Sequence, residues 1–342
     1  MGSGVWTSDV YEELERMRKA RGESAFTYNA TLRSRAREEW KAHPSLDPQW
    51  RNTRGERIRE SRDSAEHPES TPIAVMFDVT GSMLGIPVVL QKKLPELLGL
   101  LLRKAYVPDP QILFGAIGDA TCDRVPLQVG QFESDNRMDT HLGNLVLEGG
   151  GGGQLTESYE LAMYFLARHT PIDIWEKRRK KGYAFLMGDE CAYRAVKRTE
   201  VAQIIGDELP EDIPVGHILA ELRERYTVFY ILPKSASHGG EKKMLDFWRG
   251  LLGQNVLELE EPEAVCETIA LAIGLNEGVI DLDEGVTHLI EMSASGTAVS
   301  AARTAVAKLP MTAALVKSMV ALPGPVLSKS STGREYQAIR LF

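Results

Sequence analysis

The sequence predicts an α/β protein: a doubly wound, mostly parallel six-stranded sheet with helical N- and C-terminal extensions. Three observations carry that prediction. Strand-like and helix-like segments alternate from Ile73 to Leu275 in the order of such a sheet. The first run, Ile73–Phe77, has the length and β-branched content of a buried parallel strand. A chain of 342 residues with 43% hydrophobic content also suffices for a sizeable core.

Residues 1–70 read as a charged, helix-prone extension with few core residues. Helices are expected over Val5–Arg21 and Thr31–Ala42, with Trp6, Phe26, Tyr28, Trp40 and Trp50 as scattered anchors. Arg51, Arg54, Arg57, Arg59 and Arg62 alternate with Glu56, Glu60 and Asp63, the pattern of a solvated or protein-docking face more than of a nucleic-acid surface. His67-Pro68 and Thr71-Pro72 break the chain before the first strand.

The domain proper is expected over 73–275. A helical stretch, Ile86–Tyr106, follows Ile73–Phe77 and is interrupted by Pro95. Ile112–Ile117 is the second strand, and Arg124–Phe132 a short edge strand that tolerates Pro126. A short helix is expected over Asp139–Leu147 and another, after the glycine run Gly149–Gly153, over Glu157–His169. Tyr183–Met187, Val228–Leu232 and Val256–Leu259 are the remaining strands, joined by helices Ile218–Tyr226 and Glu241–Leu252. Pro262 opens a closing helix to Leu275. Residues 276–342 form a C-terminal extension packing on the domain or a partner, with helices Ala298–Leu309 and Met311–Leu322 and a terminal strand Glu335–Leu341.

The formal charge of −8 is confined to the middle of the chain, because residues 1–70 and 276–342 each balance their acids and bases. A net-acidic core argues against nucleic acid as its ligand. Cys122, Cys191 and Cys266 are odd in number and far apart, which fits reduced thiols and neither a disulfide framework nor a metal knuckle. No apolar run approaches bilayer-spanning length, and Met1–Tyr11 lacks the order of a secretory signal, so a cytoplasmic protein is expected.

The chemistry concentrates where the first strand ends. Asp78, Thr80 and Ser82 are spaced two apart in one strand-to-helix loop, and Gly81 lets the chain turn. One carboxylate with two hydroxyls is a hard-oxygen set suited to Mg²⁺ or Mn²⁺. This D-x-T-x-S sequence resembles the metal-ion-dependent adhesion site (MIDAS) of von Willebrand factor A (vWA) domains, usually D-x-S-x-S; Thr80 keeps the hydroxyl. The resemblance covers residues 73–275 and implies a Rossmann-like sheet whose metal site gathers three loops at its carboxyl edge.

It implies that Thr80 and Ser82 bind the metal directly and Asp78 directly or through water. Asp189, in Gly188-Asp189-Glu190 after Tyr183–Met187, matches the family's fourth-strand acid and would act through water. The second loop should place a threonine before a helix, and Thr156 stands there, with Ser158 and Thr140 as alternatives. Thr156 also reads as that helix's N-cap. Gly118-Asp119 and Asp123 bring further acid to the same edge but read as loop-solvating residues, not ligands. No lysine follows the glycine run, so it is not a phosphate loop; flexibility beside the metal is its expected role.

Hydrolase signatures are absent: there is no G-x-S-x-G and no H-E-x-x-H, and the seven histidines are scattered singly. The expectation is therefore a non-enzymatic adaptor or scaffold. Its metal would keep an open position for a Glu or Asp carboxylate of a partner protein. The resemblance makes a MoxR-type AAA+ ATPase, or a phage or mobile-element assembly, a candidate partner. Two alternatives stand beside it. One is an RNA-associated protein like the Ro family, whose helical-repeat ring seventy residues cannot form; the other is a metal-dependent phosphohydrolase, supported only by two acids.

Overall fold

A computed structural model describes residues 7–22, 26–150 and 152–310. Two helices, α1 (Ser8–Ala20) and α2 (Thr27–Arg33), precede the sheet domain. The sheet domain opens with β1 (Thr71–Asp78), α3 (Ile86–Lys93), α4 (Pro95–Lys104), β2 (Pro110–Ile117), β3 (Leu127–Val129) and α5 (Arg137–Gly143). Next come β4 (Thr156–Glu157), α6 (Tyr159–His169), α7 (Asp173–Arg178), β5 (Gly182–Met187), β6 (Cys191–Ala192), β7 (Ala195–Val196), α8 (Arg198–Glu200) and β8 (Ile213–Pro214). The remainder is α9 (Val215–Arg225), β9 (Tyr226–Pro233), α10 (Lys242–Leu252), β10 (Val256–Leu259), α11 (Val265–Glu277), α12 (Leu282–Glu291) and α13 (Gly296–Val306).

Six strands form one sheet in the order β10-β9-β5-β1-β2-β3, every neighbouring pair parallel except β2 with β3. This is the doubly wound α/β sheet expected. The chain leaves β1 toward β2 and β3, then crosses back to lay β5, β9 and β10 on the other side. The reversal lies between β1 and β5, the place where open α/β sheets bind ligands.

Alternation along β1 sorts its side chains between two cores. Ile73, Val75 and Phe77 face α3, α4 and α11, whereas Ala74 and Met76 face α6 and the aromatic pair Tyr230 and Trp248. Tyr230 and Trp248 stack with centroids 3.8 Å apart, so α10 is pinned to β9 by ring contact. Helix α11 is apolar on all sides and buried accordingly, its outer surface covered by α12 and α13. Helix α13 also runs along β10, where Lys308 approaches Glu258 at 3.6 Å.

Several boundaries differ from expectation for local reasons. The helix expected over Thr31–Ala42 is α2 followed by a 3₁₀ turn at Arg37–Glu39. The bend lets Tyr28, Trp40 and Ala42 pack on Leu32, Val125 and Val146. The helix expected over Asp139–Leu147 stops at Gly143, because the Gln128 side chain captures the Val146 amide and carbonyl at 2.8 Å each and holds the chain extended. Pro95 divides α3 from α4 as expected. The expected Ala298–Leu309 helix is α13, while α7, α12 and the small strands between β5 and α9 were not foreseen. The helix Met311–Leu322 and strand Glu335–Leu341 lie outside the described residues.

Residues 26–70 contribute core of their own to the sheet domain. Arg59 is 1% exposed. Its guanidinium donates to the carbonyls of Val129 (3.1 Å) and Asp47 (2.9 Å) and lies over the rings of Trp50 and Phe165. Burial pushes this group down to about 10, still charged at neutral pH. Just after it Arg62 pairs with Asp173 and Asp63 with Arg178, tying the segment to α7. Arg59→Ala would remove the side-chain donor from the buried Val129 carbonyl and empty an aromatic-lined slot, so a loss of about 3 kcal/mol is expected. Urea unfolding of the purified variant measures it; an unchanged midpoint would show that this segment is not part of the cooperative unit.

Candidate functional site

Asp78, Thr80, Ser82 and Asp189 meet at the carboxyl ends of β1 and β5, at the reversal of strand order. They form two hydrogen-bonded pairs set side by side. Asp78 Oδ1 accepts from the Thr80 hydroxyl (2.6 Å) and amide (2.8 Å), and Oδ2 accepts from the Tyr159 phenol (2.9 Å). The Thr80 and Ser82 hydroxyls lie 3.3 Å apart. Ser82 donates to Asp189 Oδ1 at 2.8 Å, and Asp189 Oδ2 accepts from the His238 amide at 2.8 Å. Asp78 and Asp189 are completely buried, whereas Ser82 keeps partial access to solvent.

The backbone is fitted to this cluster. A Cβ at Gly188 would collide with the Tyr159 hydroxyl and come within 2.9 Å of the Asp78 Cβ. Only glycine leaves Tyr159 room to reach Asp78. At Gly81, whose amide donates to the Gly150 carbonyl at 2.6 Å, a Cβ would stand 3.0 Å from the same oxygen. Gly149 donates back to Val79 at 3.1 Å. The glycine run thus closes against the Asp78 loop by backbone contact, a different role from the flexibility expected of it.

Thr156 is not drawn into the set. It lies in β4, paired with Cys191 of β6, and its hydroxyl interacts with the Tyr193 phenol. Successive strand residues point to opposite sides, so Glu157 rather than Thr156 faces inward, at 2% exposure. Thr156 is not the N-cap either: α6 begins at Tyr159, preceded by Ser158, whose hydroxyl accepts from the Ala120 amide at 2.9 Å. Thr140, the other alternative, sits within α5. The sequence reading therefore missed Glu157 and Tyr159. Their position directly after Thr156 was the available signal, but not which of three successive side chains turns inward.

The electrostatics are one-sided. Burial, opposed by the Thr80 hydrogen bonds and reinforced by the Asp189 charge, pushes Asp78 up to about 7. Burial and then the charge of Asp78 and Glu190 push Glu157 up to about 11. Glu190 rises to about 7, first from burial and then from Asp189. One carboxylate oxygen of Glu157 and one of Glu190 are buried with no hydrogen-bond partner. Among the described residues no Lys or Arg pairs with Asp78, Glu157, Asp189 or Glu190; the basic group that reaches them is His238, 3.8 Å from Glu190. Asp119 and Asp123 lie near enough for their charges to add to the rise of Glu157, and they keep hydrogen bonds of their own. Asp119 accepts from Thr121, Tyr193 and Gln154, and Asp123 pairs with Arg37 at 3.3 Å.

A hard divalent cation suits this donor set, because it would neutralise buried carboxylates that carry no other counter-charge. Among the described residues no three His, Cys, Asp or Glu side chains converge closely enough to hold a metal by themselves, so a cation here depends on the hydroxyls of Thr80 and Ser82.

No protein-family model matches the chain, and no curated protein matches it. Solved structures similar to it include the pilus adhesin SpaC of Lactobacillus rhamnosus GG in an open conformation, with a TM-score of 0.44, 9% identity, and coverage of 64% of this chain and 31% of that one. A second crystal structure of SpaC aligns with a TM-score of 0.43, 8% identity, and coverage of 64% and 32%. Proximal thread matrix protein 1 of the mussel byssus aligns with a TM-score of 0.37, 13% identity, and coverage of 60% and 47%. The chain thus spans about a third of the adhesin's length. Among the described residues no helix is long and apolar enough to cross a membrane.

Gly188→Ala tests how tightly the cluster is built. Displacing Tyr159 from Asp78 in a closed interior should cost about 3 kcal/mol. Thermal unfolding should show the loss, and near wild-type stability would mean that Tyr159 can leave Asp78 at no cost.

Proposed function

We propose that this chain is a vWA-type, metal-dependent protein-binding module, acting as an adaptor or scaffold in the cytoplasm. The observation that carries the reading is the pair of fully buried carboxylates, Asp78 and Asp189, bridged by two hydroxyls at the strand-order reversal without a basic partner. Asp78, Thr80, Ser82 and Asp189 would hold Mg²⁺ or Mn²⁺. When bound, the cation supplies a Lewis-acidic position open to an anionic oxygen, here a Glu or Asp carboxylate of the partner.

The protein's own residues do the rest. Tyr159 and the Thr80 amide fix the Asp78 carboxylate, and the His238 amide fixes Asp189, so the donors need no reordering on binding. Ser82 is the partly exposed member and marks the side from which a partner approaches. The Asp78 and Asp189 carboxylates are engaged in hydrogen bonds throughout, which suits holding a cation more than activating water. That arrangement favours capture over turnover.

Mg²⁺ should raise the melting temperature, since an ion bound only by the folded loops stabilises by mass action. The effect should depend on pH. A folded-state pKa of about 7 for Asp78 means that the metal-free protein loses stability as pH rises from the ordinary carboxylate range toward 7. Metal and proton compete for the same oxygens, so the Mg²⁺ shift should be larger at pH 8 than at pH 5.5. Scanning fluorimetry at both values, with Asp78→Ala as control, measures it; equal shifts in wild type and mutant would place the ion elsewhere.

Partner capture is the direct test. Bait protein with Mg²⁺ should retain a specific protein that EDTA releases and that Asp78→Ala and Ser82→Ala fail to bind, while both variants keep the wild-type circular dichroism spectrum. A metal-dependent turnover of phosphoesters lost in Asp78→Ala would replace the adaptor reading with that of an enzyme.

A further inference from the structure

Beside the Asp189 loop lies a cavity of about 480 Å³, lined by Cys191, Ala192, Ala195 and Phe247 and rimmed by Arg194 and Lys243 among others. Its size is that of a ligand site, and its floor is apolar. Cys191 and Ala192 are buried, at 5% and 2% exposure, because β6 pairs with β4 just below. Phe247 is half-buried, packed edge-on against Trp248 with centroids 5.3 Å apart, so one face of its ring is held in place.

Two features give this cavity a chemical preference. Arg194 and Lys243 are both exposed, and among the described residues neither side chain makes a hydrogen bond or an ion pair. They differ from neighbouring Lys197, which is paired with Asp212 at 2.8 Å. Two uncommitted cations on an apolar cavity, in a domain that is net acidic, form a local field favouring anions. The second feature is position. Cys191 follows Asp189 by two residues, a span of roughly 7 Å for extended chain. A peptide bound at both places needs only adjacent residues to bridge them.

We propose that this cavity is a side-chain subsite for the partner: it takes an apolar side chain from an acidic segment whose flanking carboxylates meet Arg194 and Lys243. The proposal rests on the protein-binding reading above and adds to it the sequence character of the partner, a large apolar residue set between acids. Arg194 and Lys243 would raise the rate of encounter as well as the affinity, so binding should weaken with salt.

The test uses the full chain and three fluorescein-labelled peptides that differ in one triplet: Glu-Phe-Glu, Glu-Gly-Glu and Lys-Phe-Lys. Fluorescence anisotropy in Mg²⁺ should give the tightest binding for the first, with either change weakening it about tenfold or more. The double variant Arg194→Glu/Lys243→Glu lies on the surface and should fold normally. It should lose the preference for Glu-Phe-Glu over Lys-Phe-Lys while keeping the wild-type Mg²⁺ melting shift. Asp78→Ala should lose the metal shift itself. An unchanged preference in the double variant, or no binding of Glu-Phe-Glu by wild type at millimolar concentration, overturns the subsite. Glu-Phe-Glu binding that survives both EDTA and Asp78→Ala, yet still needs Arg194 and Lys243, would keep the subsite and sink the metal-dependent reading.

Discussion

A carboxylate taken wholly out of water at the end of β1 is the constraint on which this molecule turns. Asp78 can be buried there only because Thr80 and Tyr159 donate to it, and each donor imposes a demand on the chain around it. Tyr159 must stand in the first turn of α6, which fixes how the loop from β4 enters that helix. Gly188 must be glycine, or Tyr159 has no room. Gly81 must let the Gly149-Gly150 backbone approach, which draws the glycine run over the site. Three separate segments thus converge on one side chain. Among the described residues no Lys or Arg pairs with the charge they enclose.

The N-terminal residues solve a different problem with the same kind of chemistry. A single guanidinium, Arg59, satisfies backbone carbonyls from β3 and from its own segment while resting between Trp50 and Phe165. Its methylene stem and flat head do the work of a large apolar residue and of a hydrogen-bond donor together. Arg62 and Asp63, directly after Ser61, then lock to α7 through ion pairs. The end of the alternating-charge run nearest β1, from Arg59 to Asp63, is thus an interior seam with ionic groups paired across it, while Arg51, Arg54 and Glu56 stay on an open face.

How much of this was legible in the sequence depends on the range of the interaction that decides each feature. Ile73–Phe77, Ile112–Ile117 and Tyr183–Met187 were readable because a strand buried on both faces must be apolar throughout, a requirement written in consecutive residues. Asp78, Thr80 and Ser82 were readable because their spacing is local. Asp189 was readable because it follows a recognisable strand. Glu157 was not, since its inward orientation is set by the pairing of Thr156 with Cys191, thirty-five residues away. Arg59 was indistinguishable from Arg51, Arg54 and Arg57, because only its tertiary surroundings bury it. The early end of α5 likewise depends on a glutamine in β3 that reaches Val146 across the chain. A single sequence records propensities and spacings, and these features are decided by neither.

The two outer margins of the sheet bear on how this protein can and cannot meet others. At one margin the Val129 amide donates to Leu46 and its carbonyl accepts from Arg59, so the last strand is short and its main-chain groups are spoken for. At the other, α13 lies along β10 and Lys308 reaches Glu258. At the first margin those Val129 groups are unavailable to a foreign strand, which templates on a free row of amides and carbonyls. Strand addition, and the runaway stacking that follows from it, meets an obstacle at that short strand. On the surface above the β1–β5 reversal, by contrast, side chains can change residue by residue while the fold beneath stays as it is.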